Sequence, residues 1–248
     1  MRKPWIIAHR GASAHAPENT MEAFQRAVEL GAPFIETDLQ LTRDARFVAI
    51  HDSVLQRTTN GRGAVHEHTL AELRELDAGL WFDRRFGGQR IPTLEEVLAF
   101  GREHGVGFYL EIKFDAAWGM APALLSVLRY AEATSRVIVI SFDQATLRSL
   151  RELDASIVMG LLSGRADGDL VKAGLDIGAR QICPRHDAVT QELVDRAHAA
   201  NLHVATWTVN EVPDMRRVIT AGVDSVMTDI PDRLRALIED LGIDEHAG

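Results

Sequence analysis

The chain has 248 residues, 46% of them apolar and 25% charged, with a net charge of -9 and a single cysteine. Those values suit one large globular domain with room for a substantial core, and they exclude a disordered or fibrous chain. They also argue against bulk attraction to nucleic acid or an anionic membrane, and Cys183 alone permits neither an internal disulfide nor a multi-cysteine zinc site.

The apolar run Trp5–Ala8 reaches His9 and Arg10 too soon to be a signal segment. No window approaches membrane-spanning length, so cytoplasmic residence is the default expectation. Trp5–Ala8 reads instead as a buried strand, and His9-Arg10-Gly11 after it suits a βα loop that carries function. Pro17-Glu18-Asn19-Thr20 opens a helix with Asn19 as the expected N-cap and Glu22 three residues on; Met21, Phe24, Ala27 and Val28 form its apolar stripe before Gly31 stops it. Phe34 to Asp52 then reads as an extended hairpin. Side chains two apart on a strand share a face, so Glu36 and Asp38 point the same way, and the returning arm carries His51 back toward them. Two carboxylates on one face repel and are costly to desolvate, a cost that a bound cation removes.

From Asp52 to Gly88 the alternation of strand and helix breaks. Turn chemistry at Arg57–Gly63, a short helical stretch at Leu70–Leu76 and the patch Leu80-Trp81-Phe82 suggest an insertion, at about 52–90, over one end of the domain. Thr93-Leu94-Glu95-Glu96 is a capping-box start for the helix through about Glu103. Strands are then expected at Gly107–Lys113, Arg136–Phe142, Ile157–Leu162, Arg180–Pro184, His203–Val209 and Asp224–Thr228. Helices are expected near Pro122–Ala133, Asp143–Leu153, Asp167–Leu175, Gln191–Asn201, Val212–Ala221 and Asp232–Leu241, with a frayed tail at Gly242–Gly248. With the Trp5 and Phe34 strands this makes eight, which predicts an α/β fold, a TIM (β/α)8 barrel as a single domain over residues 1–248. The glycine-rich fingerprints of nucleotide-binding open sheets are absent.

Such barrels carry their active site at the C-terminal ends of the strands. There the sequence sets His9 and Arg10, Glu36 and Asp38, Glu111 and Lys113, and Trp207 with Asn210. Three carboxylates converging without cysteine favour one hard divalent cation, Mg2+ or Ca2+. Together with it, Arg10 and Lys113 would make a positive well suited to a phosphate, and His9 and His51 at its edges can shuttle protons near neutral pH. Singly, each residue has an ordinary structural use: Glu36 and Asp38 lining a solvated face, Glu111 and Lys113 as an ion pair, Glu18 and Asn19 at a helix start, Trp207 plugging the barrel. Their conjunction at one end of successive strands favours function.

The ordered set His9-Arg10-Gly11, Pro17-Glu18-Asn19-Thr20, Glu36-Thr37-Asp38, His51-Asp52, Arg57-Thr58-Thr59, Pro92-Thr93-Leu94, Glu111-Ile112-Lys113 and Trp207-Thr208-Val209-Asn210 resembles the glycerophosphodiester phosphodiesterase family along nearly the whole chain. The resemblance implies a barrel with a small insertion between its second and third strands. It also implies hydrolysis of glycerophosphodiesters, such as glycerophosphocholine or glycerophosphoethanolamine, to glycerol 3-phosphate and an alcohol. By it, Glu36, Asp38 and Glu111 match metal ligands, His9 and His51 an acid–base pair, and Arg10 and Lys113 phosphate-holding positions. Trp207 matches an apolar wall for the glycerol carbons, and Glu18 and Asn19 match supports of the first loop. The partner is then a small-molecule diester, attacked by water or by its own glycerol 2-hydroxyl. Competing readings are a lysophospholipase D with an apolar groove at Leu80-Trp81-Phe82, a Schiff-base lyase on Lys113, and a phosphodiester-binding barrel without turnover. The lyase is disfavoured because neighbouring carboxylates would raise the lysine pKa.

Overall fold

Strands this apolar on both faces must be covered on both, and the chain achieves it by closing the sheet on itself and wrapping it in helices. The computed structural model describes residues 3–113, 119–164 and 169–243. Its strands are β1 (Trp5–Ala8), β2 (Phe34–Leu41), β3 (Phe47–Ala49), β4 (Gly107–Ile112), β5 (Val137–Ser141), β6 (Val158–Ser163), β7 (Gln181–Pro184), β8 (His203–Thr206) and β9 (Ser225–Thr228). Eight of them are parallel, and because β1 pairs with both β2 and β9 the barrel is closed. The remaining strand, β3, runs back antiparallel on the end of β2, with Leu39 opposite Ala49 and Leu41 opposite Phe47. The hairpin predicted from Phe34 to Asp52 is therefore present, and the third barrel strand is β4.

Helices α1 (Met21–Glu29), α2 (Leu70–Arg74), α3 (Leu94–His104), α4 (Met120–Tyr130), α5 (Gln144–Leu153), α6 (Leu170–Asp176), α7 (Gln191–Ala199), α8 (Val212–Thr220) and α9 (Pro231–Asp240) complete the chain. The largest apolar layer lies between barrel and helices and includes Phe24, Ile35, Leu110, Val139 and Leu147. A smaller one fills the barrel, with Ile7, Tyr109, Ile140, Leu162 and Met227. The segment between β3 and α3, where the sequence predicts a break in the alternation, has an apolar cluster of its own around Ile50, Leu55, Leu73 and Ile91. No helix of the described residues is long and apolar enough to cross a membrane.

Several expectations shift at element ends, as where the helix expected at Pro122–Ala133 spans Met120–Tyr130. The strand predicted through Val209 stops at Thr206, and Trp207 makes only an isolated bridge to Arg185. The helix predicted from Asp167 begins at Leu170; Asp167 and Gly168, like the tail residues Asp244–Gly248, lie outside the described residues. One expectation is corrected: the N-cap of α1 is Thr20, whose hydroxyl accepts from the Ala23 amide at 3.3 Å, rather than Asn19. Asn19 sits at φ +56 with its amide turned inward to donate to a buried carboxylate, while the helix end obtains the acceptor it needs from the next residue. The capping box at Thr93 and Glu96 forms as predicted.

Candidate active site

Inward-facing positions recur every second residue along each strand, and the barrel register brings them level with one another. Asp38 on β2 lies opposite Glu111 on β4, and Glu36 lies opposite Tyr109. Two places beyond the core residues Ile7, Tyr109, Ala205 and Met227 stand His9, Glu111, Trp207 and Asp229, so the polar layer is the next storey above the apolar plug.

Glu36, Asp38 and Glu111 are all buried, and one carboxylate oxygen from each lies within 4.8 Å of the others. Glu36 Oε2 accepts the backbone N–H of Arg10 at 2.9 Å. Its other oxygen, Oε1, is buried and accepts no hydrogen bond among the described residues. Asp38 Oδ2 accepts from Asn19 Nδ2 at 2.7 Å and lies 3.2 Å from Arg10 Nε. Lys113 Nζ bridges the strands, 2.6 Å from Asp38 Oδ1 and 2.7 Å from Glu111 Oε1. Burial, reinforced by Asp38 and Glu111, pushes the Glu36 carboxyl well above its ordinary range. Burial and then Asp38 push Glu111 up to about 7. Burial would raise Asp38 too, but Lys113 and Arg10 outweigh it and hold that carboxylate low. Lys113 is in turn held above its usual value against the effect of burial, the opposite of what a Schiff-base lysine needs. Three buried carboxylates, two cationic neighbours and one unpaired oxygen fit a hard divalent cation with oxygen ligands.

Each histidine is anchored by one ring nitrogen. His9 Nδ1 donates to Asp229 Oδ1 at 2.6 Å, and Asp229 also accepts from Ser13 Oγ at 2.9 Å and Asn210 Nδ2 at 2.6 Å. Burial would raise Asp229, but these hydrogen bonds, His9's first, hold it at about 2. His51 Nδ1 donates to Asp52 Oδ1 at 2.6 Å, and Asp52 is held at about 2 chiefly by the Arg57 guanidinium. An ionised carboxylate only accepts, so both rings carry their neutral-state proton on Nδ1 and keep Nε2 for exchange. His9 Nε2 lies 3.9 Å from Glu36 Oε2, beside the carboxylates. Burial, with help from Arg10 and Lys113, keeps the His51 imidazole below its ordinary pKa, which favours the neutral, proton-accepting form.

Of the residues predicted from sequence, His9, Arg10, Glu36, Asp38, Glu111 and Lys113 meet directly. Glu18 joins them through Arg10 at 2.8 Å, and Asn19 through Asp38. Trp207 stands to one side: its indole donates to the Cys183 carbonyl at 2.7 Å, and its ring meets Phe142 edge-on at 5.4 Å. Sequence reasoning missed Asp229. Its signal was available in principle, because Met227 faces inward beside Ile7 and the same two-residue step that leads from Ile7 to His9 leads from Met227 to Asp229.

A model of the glycerophosphoryl diester phosphodiesterase family matches residues 9–233. A glycerophosphodiester phosphodiesterase of Caldanaerobacter subterraneus subsp. tengcongensis is 38% identical over 238 residues, covering 95% of this chain and 98% of its own. Another from Bacillus subtilis (strain 168) is 35% identical, over 91% of this chain and 83% of its own. The solved structure of an Oleispira antarctica phosphodiesterase in complex with the product sn-glycerol-3-phosphate matches with a TM-score of 0.90 at 28% identity, over 95% of this chain and 97% of that one.

Proposed function

The chain belongs to the glycerophosphoryl diester phosphodiesterase family, and from that premise we propose the finer chemistry of a phosphoric diester hydrolase that works with one divalent cation, Mg2+ or Ca2+, and two histidines. Its substrates are glycerophosphodiesters such as glycerophosphocholine or glycerophosphoethanolamine, cleaved to glycerol 3-phosphate and an alcohol. The glycerol phosphate bound by the Oleispira antarctica relative supports that product. The observation that carries the reading is the buried carboxylate triad with its unpaired oxygen, reached by a histidine whose Nδ1 is already committed.

Glu36, Asp38 and Glu111 would hold the cation, which supplies positive charge for the phosphoryl oxygens when bound. Arg10 and Lys113 add fixed positive charge at the same place, where burial strengthens it. Because Asp229 and Asp52 hold the Nδ1 protons, exchange takes place at Nε2: one histidine removes the proton of the attacking hydroxyl, and the other protonates the departing alkoxide. The attacking hydroxyl is that of water, giving glycerol 3-phosphate directly, or of the substrate's own glycerol C2, giving a cyclic phosphate that water then opens to glycerol 3-phosphate. Trp207, steadied by Cys183 and Phe142, offers an apolar face to the carbon skeleton. Glu18 and Asn19 keep Arg10 and Asp38 in place. We treat residues 1–248 as one domain, with the segment at about 52–90 as its insertion.

The test is release of glycerol 3-phosphate from glycerophosphocholine by chelator-stripped protein, before and after Mg2+ or Ca2+ is added. Metal-restored release is expected. Folded protein that releases nothing with either ion, across several headgroups, would replace this reading with the lysolipid one.

A further inference from the structure

We infer that Arg57 is a positioning residue that sets the two sides of the active site in register, holding His51 through Asp52 and Arg10 through Glu18. The inference rests on the hydrolase reading above for its catalytic consequence and on geometry for its substance. The Arg57 guanidinium donates from Nη1 to Glu18 Oε2 at 2.7 Å and from Nη2 to Glu18 Oε1 at 2.9 Å. It donates also from Nε to Asp52 Oδ2 at 2.7 Å and from Nη2 to Asp52 Oδ1 at 3.1 Å. Both receiving carboxylates are shared with the chemistry: Glu18 Oε1 also takes Arg10 Nη1 at 2.8 Å, and Asp52 Oδ1 also takes His51 Nδ1 at 2.6 Å. One unbroken line of charge-assisted contacts thus runs from His51 through Asp52, Arg57 and Glu18 to Arg10, and from there to Glu36 and Asp38.

Only a guanidinium can make this junction. Its planar fork engages two carboxylates along two edges with four hydrogen bonds, whereas an ammonium, a point donor with three protons, cannot pair with both oxygens of each carboxylate at once. The backbone that presents it is fixed as well: Thr59 Oγ1 donates to the Leu55 carbonyl at 2.6 Å and accepts the Gly61 amide at 3.0 Å, closing the turn around Arg57. Arg57 is itself 42% exposed, a setting in which ion pairs add little to stability. A fully engaged fork there acts through placement. The segment between β3 and α3, which supplies His51 itself, is thereby tied through Arg57 to the loop between β1 and α1.

The test uses the full chain and two readouts. In 15N-histidine NMR of the metal-free protein, the hydrogen-bonded Nδ1 proton of His51 is identified by its loss in His51→Gln. Arg57→Ala and Arg57→Lys should both broaden or shift that signal while leaving the His9 signal in place. In turnover of glycerophosphocholine, both variants should lose about tenfold to a hundredfold in kcat, the range usual for groups that orient a reacting residue. Asp52→Asn combined with Arg57→Ala should lose clearly less than the product of the two single losses, because the part of the Arg57 effect that reaches His51 passes through Asp52. An unchanged His51 signal in Arg57→Ala overturns the inference whatever the turnover, as does a double variant whose losses multiply. A wild type that turns over no glycerophosphodiester would overturn the functional reading, and the NMR comparison would still decide on Arg57.

Discussion

His9 has two ring nitrogens, and Asp229 leaves only one of them for chemistry. Replacing His9 or His51 by alanine should therefore cost on the order of a hundredfold or more in kcat, with metal binding retained in a titration of the same variant. Asp229→Asn should be nearly as harmful: a neutral amide no longer fixes the Nδ1 proton, so kcat should fall by about a hundredfold while KM moves little. The same pair makes a stability prediction. Asp229 lies at about 2 in the fold against 3.8 for a free side chain. A depressed folded pKa contributes stability above the unfolded value, and that contribution is lost as pH falls through the folded one. The difference corresponds to about 2 kcal/mol. Urea unfolding between pH 5 and pH 2 should show the wild type losing that much more than Asp229→Asn, and parallel curves would mean that Asp229 gains nothing from His9, Ser13 and Asn210.

At the scale of elements, the loop from β1 to α1 carries His9 and Arg10, and its shape depends on Gly11. That residue lies at φ +82, and a Cβ there would come within 2.6 Å of the Ala23 backbone at the start of α1. Gly11→Ala should cost about 1–3 kcal/mol in unfolding measurements and should also depress kcat, although it removes no reacting group; full activity would show that the loop can shift without moving Arg10. This loop also shows what was legible in the sequence. Gly11 announced its turn, the apolar runs announced the barrel strands, and Thr93 with Glu96 announced a helix start, because each signal is local. Asn19 was misread for the same reason: by local rules it is a good cap, but Asp38, nineteen residues on, takes its amide. Asp229 lies 220 residues from the histidine it serves, and nothing near it in sequence marks it until β1 and β9 are known to be neighbours.

Across the whole molecule, the site is a place where the acidic chain works against its own stability. Closing the barrel brings Glu36, Asp38 and Glu111 together with Arg10 and Lys113 to offset them, and among the described residues leaves Glu36 Oε1 buried without a partner. A cation that binds the folded triad and not the unfolded chain must stabilise the whole barrel, by about 2.7 kcal/mol at a concentration a hundred times its dissociation constant. For a chain of this length that corresponds to a rise in Tm of roughly 5–10 °C. Thermal unfolding in chelator, then in Mg2+ or Ca2+, measures the rise directly, and its size ranks the two ions without reference to turnover. Glu36→Gln separates the two effects. It removes one of the repelling charges, so its metal-free form should melt above the metal-free wild type, while the rise produced by either ion should shrink. A wild type whose Tm ignores both ions would take the triad out of metal binding. A Glu36→Gln variant that melts below the metal-free wild type would instead show that Arg10 and Lys113 already neutralise the site, and that Glu36 supports the fold through its bond to the Arg10 amide.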